Sequence, residues 1–342
     1  MIADLISQIK PFWKRRVAPT PPVDLAAMKV LRRSTFPADG GPVPWLDRPD
    51  AEARIAERLE SGAITAEEAG YCRKWVRDGY LILEEFYSQE LMDRTWGEYE
   101  AAIAAGHAKP PAHPIFYDGD PLPGRLQSVH LHVPAMDDML HEPRINHVVS
   151  VLLGAKSRPF QTIIGHKATE QMAHSDSIHL TTYPAGYLAA TWLAYEDIGP
   201  NCGPLVYYPG SHKLPYLLSE DLGIASGVDD YSGYNSQYEP AIQRQIEAHG
   251  LKPVHFMAKK GSLLIWHANL LHGGSKRLDY KLSRKALVCH YIAEGVVSYH
   301  DIFGTPSYVQ LGLDLYQRRR PLPLPKRILN RALKTIRSTV GA

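Results

Sequence analysis

The chain has 342 residues, of which 44% are hydrophobic and 22% are charged, a composition typical of a globular protein with one large core. Its three cysteines are far apart and form no CxxC pair, which argues against a disulfide framework or a zinc ribbon and favours a reducing, cytoplasmic location. No secretory leader is predicted, because Asp4 and Lys10 interrupt the apolar run at the N-terminus.

The two ends of the chain are basic. Residues 1–16 carry a net charge of +3 and residues 318–342 carry +8, so the remainder is −9 in a chain whose total is +2. Apolar residues at helical spacing predict amphipathic helices near 2–13 and 326–340. Such helices suit an anionic lipid surface better than a nucleic acid, so we expect no nucleic-acid partner and peripheral contact with the inner face of a membrane. The alternative is packing against the body of the chain or a partner subunit in an oligomer.

Helices dominate the first third of the chain after an irregular, proline-rich stretch. Thr65 and Glu68 have the spacing of a capping box, in which each side chain accepts a hydrogen bond from the backbone of the other residue. The predicted elements are a helix from Asp50 to about Ser61, a helix from Thr65 to Gly79, a strand Tyr80–Phe86 and a helix from Ser88 to about Ala105.

Short β-prone segments separated by turn residues follow Gly106 and continue to about residue 305. The clearest predicted strands are Leu126–Val133, Pro159–Gly165, His179–Tyr183, Tyr187–Asp197, Leu205–Tyr208, Ser262–His267 and Lys285–Ile292. Strands without intervening helices predict a sandwich or jelly-roll barrel. We therefore expect a helical or irregular extension over 1–75, a β domain over 76–305 with an insertion at about 214–250, and a basic tail over 306–342.

One histidine and one carboxylate stand at a spacing that suits a metal site. His174 and Asp176 share a face of the backbone if the segment is extended. A third donor could be His267 or His272, far along the chain. Two histidines and a carboxylate form the facial triad of non-haem iron(II) oxygenases. Arg284, twelve residues after His272, could form a bidentate pair with the far carboxylate of a dicarboxylic acid.

Four motifs in the same order resemble the phytanoyl-CoA dioxygenase family. They are His174-Ser175-Asp176, the segment 186–197 (GYLAATWLAYED), the segment 201–212 (NCGPLVYYPGSH), and Leu271-His272-Gly273-Gly274 with Arg284. The segment 79–86 (GYLILEEF) also resembles the start of that domain, and the similarity covers roughly residues 75–305. The resemblance implies a double-stranded β-helix, a cupin-like jelly roll that is mainly β with flanking helices, and the cofactors Fe(II) and 2-oxoglutarate.

The resemblance also implies roles for individual residues. His174, Asp176 and His272 become the iron ligands, and His272 is favoured over His267 because the distal histidine of the family directly precedes a glycine. Arg284 becomes the anchor of the distal carboxylate of 2-oxoglutarate. Ser275 and Gln161 are further candidates for co-substrate contacts, whereas His130 and His132 are interpreted as ordinary strand residues.

The implied reaction is hydroxylation of an unactivated C–H bond in a small-molecule or lipid-like substrate, with release of succinate and carbon dioxide. Asp176 supports it, because the halogenating relatives lack this carboxylate. No catalytic side chain is expected beyond the metal centre. Two other classes remain alternatives at this point, a zinc hydrolase with the same ligands and a catalytically silent, membrane-tethered binding protein.

Overall fold

The computed structural model describes residues 43–107, 124–224, 233–303 and 305–306. The predicted terminal helices and the basic tail lie outside these residues. The described helices are α1 (Ala51–Glu60), α2 (Ala66–Asp78), α3 (Gln89–Ala104), α4 (Pro134–Leu140), α5 (Pro143–Leu153) and α6 (Glu239–Ala248). Among them, no helix combines the length and the apolar run that a bilayer span requires.

The N-terminal helices begin and end where the sequence predicts. Thr65 and Glu68 form the capping box in both directions, with N···O distances of 3.2 and 2.7 Å, and Gly79 ends α2 in a left-handed conformation. Ser88 caps α3 by accepting the Leu91 amide. Asp50 precedes α1, but its carboxylate accepts from Arg54 instead of capping the helix.

Strands form three antiparallel sheets in the described part of the chain. The strands are β1 (Tyr80–Leu83), β2 (Leu126–Gln127), β3 (Ser157–Gly165), β4 (Thr181–Tyr183), β5 (Leu188–Ala194), β6 (Leu205–Tyr207), β7 (Val254–His255), β8 (Leu263–His267), β9 (His272–Gly274), β10 (Ala286–Ala293), β11 (Val297–His300) and β12 (Thr305–Pro306). The large sheet has the order β1-β8-β5-β10-β3-β2, and the small sheets have the orders β12-β11-β4 and β7-β6-β9.

The large sheet is covered on both faces. On one side, Trp192 of β5 and Trp266 of β8 pack with Tyr207 of β6 and Phe256, which follows β7, in a buried apolar cluster. On the other side, α5 packs on β3, β5 and β10. The arrangement is mainly β with flanking helices, as predicted.

The prediction of a strand over Leu126–Val133 is largely wrong. Only Leu126–Gln127 pairs in the sheet, because Ser128 adopts a left-handed conformation (φ 58°) and turns the chain into a 3-10 turn. Helices α4 and α5 follow, each with a proline in its first turn. The expectation of consecutive strands without helices after Gly106 is therefore also wrong.

The predicted insertion lies between β6 and β7. Its described part contains a short π-helical turn, Tyr234–Tyr238, which runs directly into α6. Tyr234, Tyr238 and Ile242 pack with Ile178 and Leu271, which lie next to the two candidate metal-binding motifs. The insertion therefore covers the part of the β domain that carries the candidate site.

Candidate metal centre

Backbone pairing brings His174 and His272 together. The amide of each residue donates to the carbonyl of the other, both at 2.9 Å, so the two residues form an isolated antiparallel bridge. Their imidazole rings lie 4.5 Å apart between centroids. The distant histidine therefore lies beside the His-x-Asp motif on a neighbouring segment, and its role as a metal ligand stays a prediction.

Asp176 completes a compact group of three donors. The Asp176 amide donates to the Ala268 carbonyl at 3.0 Å, and Asp176 is the first residue of a 3-10 turn, Asp176–Ile178. One candidate ligand atom from each of His174, Asp176 and His272 lies within 4.8 Å of the others, and all three residues are buried. A single ion could reach all three side chains.

Hydrogen bonds orient both imidazoles for metal binding. Nδ1 of His174 lies 2.9 Å from the Met172 carbonyl, and Nδ1 of His272 lies 2.9 Å from the Leu270 carbonyl. A carbonyl can only accept, so each Nδ1 carries a proton and, in the neutral ring, Nε2 holds the lone pair. Such outer partners fix the tautomer of a metal-binding histidine.

The charges of the group suit a divalent cation. Burial and the neighbouring His272 together lower the pKa of His174 to about 4, so the ring is neutral near pH 7. Burial by itself raises the pKa of Asp176, but its interactions with His272, His290 and His174 outweigh the burial and hold that pKa below its ordinary value. A neutral His174, an ionised Asp176 and the His272 imidazole together form a donor set that fits iron(II).

His267, the competing candidate, lies outside this group. Its Nε2 lies 3.1 Å from a carboxylate oxygen of Asp47, and its Nδ1 accepts the Asn269 amide at 3.0 Å. Both ring nitrogens of His267 are therefore occupied.

His130 and His132 do not lie on a strand. His130 lies on a 3-10 turn, and His132 is at the end of that turn. His130 is buried, with Nδ1 2.7 Å from the Thr162 hydroxyl. The interpretation of both as strand residues is therefore wrong.

The three donors open into a cavity of about 460 Å³ that is also lined by Gln161 and Arg284. Gln161 lies on β3 opposite His290 of β10 and is buried. Ser275 is not among the lining residues, because its amide donates to the Pro204 carbonyl and turns the chain towards the β6 side. Its role in co-substrate binding remains a prediction.

Arg284 is held in a defined orientation. Its amide donates to the His166 carbonyl at 2.7 Å, its Nη1 donates to the Gly203 carbonyl at 2.9 Å, and the guanidinium carbon lies 5.7 Å from the centroid of the Trp192 ring. The side chain is 8% exposed. A buried cation on the wall of the same cavity is a suitable partner for a carboxylate.

Sequence reasoning missed four contributors to the site. Trp266 donates from its indole nitrogen to Oδ2 of Asp176 at 2.8 Å, and His290 lines the cavity with Nε2 3.9 Å from the same oxygen. From the insertion, Tyr234 lines the cavity, and the Tyr238 hydroxyl accepts the Ser175 amide at 3.0 Å. His290 lies six residues after Arg284, which directly precedes the predicted strand Lys285–Ile292, and this even spacing could have placed both on the same face of an extended segment.

Comparisons with known proteins agree with this architecture. The family model for phytanoyl-CoA dioxygenase (PhyH) matches residues 75–286. The peroxisomal phytanoyl-CoA dioxygenase of Rattus norvegicus is 24% identical over 249 residues, which cover 68% of this chain and 70% of that protein. The ectoine dioxygenase of Sphingopyxis alaskensis is 26% identical over 264 residues, covering 68% of this chain and 79% of the relative.

Solved structures show the same fold. The crystal structure of EctD from S. alaskensis with 2-oxoglutarate and 5-hydroxyectoine matches with a TM-score of 0.52 and 21% identity, covering 67% of this chain and 76% of that one. The carbocyclase SnoK from nogalamycin biosynthesis matches with a TM-score of 0.52 and 16% identity, covering 78% and 96% of the two chains. The likeness confirms the predicted jelly-roll architecture.

Proposed function

Because this chain belongs to the phytanoyl-CoA dioxygenase family, we propose that it hydroxylates an unactivated C–H bond of a small-molecule substrate and releases succinate and carbon dioxide. Membership makes the chain a 2-oxoglutarate-dependent non-haem iron oxygenase, so the predicted enzyme class and the cofactors Fe(II) and 2-oxoglutarate are confirmed. The zinc-hydrolase and silent-binding alternatives gain no support from this family. The roles of individual residues are part of the proposal.

The observation that carries the assignment is the presence of two histidines, one carboxylate and one buried arginine on a single cavity. His174, Asp176 and His272 would hold iron(II), which leaves coordination positions open for co-substrate and oxygen. When bound, the iron supplies the oxidising chemistry, with 2-oxoglutarate as the source of electrons.

The other cavity residues would orient the co-substrate and exclude water from the site. Arg284 would pair with the distal carboxylate of 2-oxoglutarate, and its bond to Gly203 keeps the guanidinium in place before the ligand arrives. Gln161 offers an amide donor from β3. Ala286 and Val288, between Arg284 and His290 on the cavity side of β10, give this part of the wall an apolar surface.

The wall of the cavity favours a polar substrate over a long acyl chain. Many lining side chains outside the proposed ligands can form hydrogen bonds, and few are aliphatic. The polar ones are Arg125, Gln127, Gln161, Lys167, Thr169, Gln171, His179, Tyr234, Asn235, Arg284, His290 and His300. Such a wall suits a substrate that itself carries hydrogen-bonding groups, whereas a hydrocarbon chain has none to offer.

The experiment is anaerobic addition of 2-oxoglutarate to iron(II)-loaded protein, followed through the visible absorption that iron(II) and a 2-keto acid produce together. Oxygen is then admitted with a panel of polar metabolites and of fatty acyl compounds, and succinate and substrates carrying one added oxygen are measured by mass spectrometry. Zinc-loaded protein is the control and should form no succinate. Absence of the absorption, or product formation without 2-oxoglutarate, would contradict the proposal.

A further inference from the structure

The two carboxylate oxygens of Asp176 have different surroundings. Oδ2 accepts a hydrogen bond from the indole nitrogen of Trp266 at 2.8 Å. Oδ1 lies 3.7 Å from Nε2 of His272, another of the three candidate ligands. His290 also approaches Oδ2, but its Nε2 is 3.9 Å away, beyond hydrogen-bond distance. Trp266 is thus the donor that distinguishes one oxygen from the other.

The indole of Trp266 has little freedom to move. Trp266 lies on β8 between two paired strands, opposite Tyr80 of β1 and Ala190 of β5. Its side chain is 2% exposed and belongs to the cluster that joins the large sheet to β6. On another side, its ring lies 4.9 Å from the ring of His272, measured between centroids. A donor fixed in this way holds the carboxylate in one orientation.

We propose that Trp266 is a positioning residue that restricts Asp176 to binding the metal through Oδ1 alone. The proposal rests on the assignment of Asp176 as an iron ligand. A carboxylate that binds through both oxygens would occupy one more position, whereas single-oxygen binding by three protein ligands leaves three of the six octahedral positions open. Two are needed for a keto acid that chelates and one for oxygen, so the Trp266 hydrogen bond would preserve the last of them.

The test measures metal hydration in Trp266→Phe, which keeps an aromatic ring in the core and removes the N–H donor. Protein loaded with Mn(II) is studied by water-proton relaxation, which reports the number of water molecules on the ion. The variant should hold one water fewer than the wild type, so the relaxation enhancement per bound ion should fall by roughly one third. With saturating 2-oxoglutarate, the wild type should keep one exchangeable water and the variant none.

Trp192→Phe is the matched control. Trp192 lines the same cavity and lies in the same buried cluster, but its ring packs against Phe256 and the guanidinium of Arg284, so its replacement should leave the hydration of Mn(II) unchanged. If Trp266→Phe does not fold, benzothienylalanine at position 266 replaces the N–H with sulfur at nearly constant shape.

A second variant separates failure of this inference from failure of the proposed function. Asp176→Ala should weaken Mn(II) binding strongly. If it does, and loss of the Trp266 donor leaves hydration at the wild-type value, Trp266 has no positioning role while the ligand assignment stands. If Asp176→Ala binds Mn(II) as the wild type does, the ligand assignment itself is wrong.

Discussion

Replacement of Arg284 by glutamine should weaken 2-oxoglutarate binding by a predictable amount. Arg284 is buried, and its bond to the Gly203 carbonyl fixes the fork before the co-substrate binds. Because the guanidinium is already oriented, little conformational entropy is lost when 2-oxoglutarate binds. Removal of the charged donor should therefore weaken the binding free energy by about the strength of a hydrogen bond to a charged group, roughly 1.5–3 kcal/mol. The dissociation constant should rise roughly 10- to 150-fold.

Anaerobic titration of iron(II)-loaded protein with 2-oxoglutarate measures this constant without any knowledge of the substrate. Arg284→Lys keeps the charge but not the bidentate fork, so its affinity should fall between those of the wild type and Arg284→Gln. Arg277→Gln removes another buried arginine, which stacks on Tyr280 and is not among the cavity-lining residues described, and should bind 2-oxoglutarate normally. An unchanged dissociation constant in Arg284→Gln would refute the anchoring role.

The remaining predictions concern the metal, acid stability and the chain ends. His272→Ala should abolish stoichiometric iron(II) binding whereas His267→Ala should retain it; metal analysis after dialysis checks this, and the reverse outcome would overturn the ligand assignment. Burial lowers the pKa of His130 from 6.5 to about 4, so below about pH 6.5 the unfolded state takes up a proton that the folded state resists. The resulting loss of stability, about 2 kcal/mol at about pH 5, should be absent from urea unfolding of His130→Asn. The full chain should sediment with anionic vesicles at low salt but not at high salt, and a chain lacking residues 1–16 and 318–342 should stay in solution; equal binding by both would refute the membrane role of the ends.

Local patterns in the sequence predicted what depends on local chemistry. The capping box at Thr65 could be identified because both partners lie within one turn of helix, and it forms as predicted. The proximity of His174 and His272 could be inferred from the order of the family motifs. The early end of the strand predicted over Leu126–Val133 could not be predicted. The residues before the proline-initiated helix have the composition of a strand, and only the left-handed conformation of Ser128 ends it.

The second layer of the site depends on contacts between distant segments. Trp266 meets Asp176 only through the register of β8 against β5 and the position of the loop that carries the carboxylate. The residue pattern of neither segment predicts that the Trp266 indole and the Asp176 carboxylate lie within hydrogen-bond distance. The insertion presents a similar case, since its position in the sequence was predicted but nothing in it indicated that the Tyr238 hydroxyl would accept the Ser175 amide, between two proposed ligands.

The contact between Tyr238 and Ser175 links two properties that could otherwise change independently in evolution. Tyr234 and Asn235, on the same turn as Tyr238, form part of the cavity wall, so changes here alter which substrates fit. The same turn supports the backbone of the metal-binding loop through the Tyr238 hydroxyl. Point substitutions around Tyr238 would therefore reshape the cavity wall alone, whereas exchange of the whole insertion would also remove a support of the loop that carries the proposed ligands.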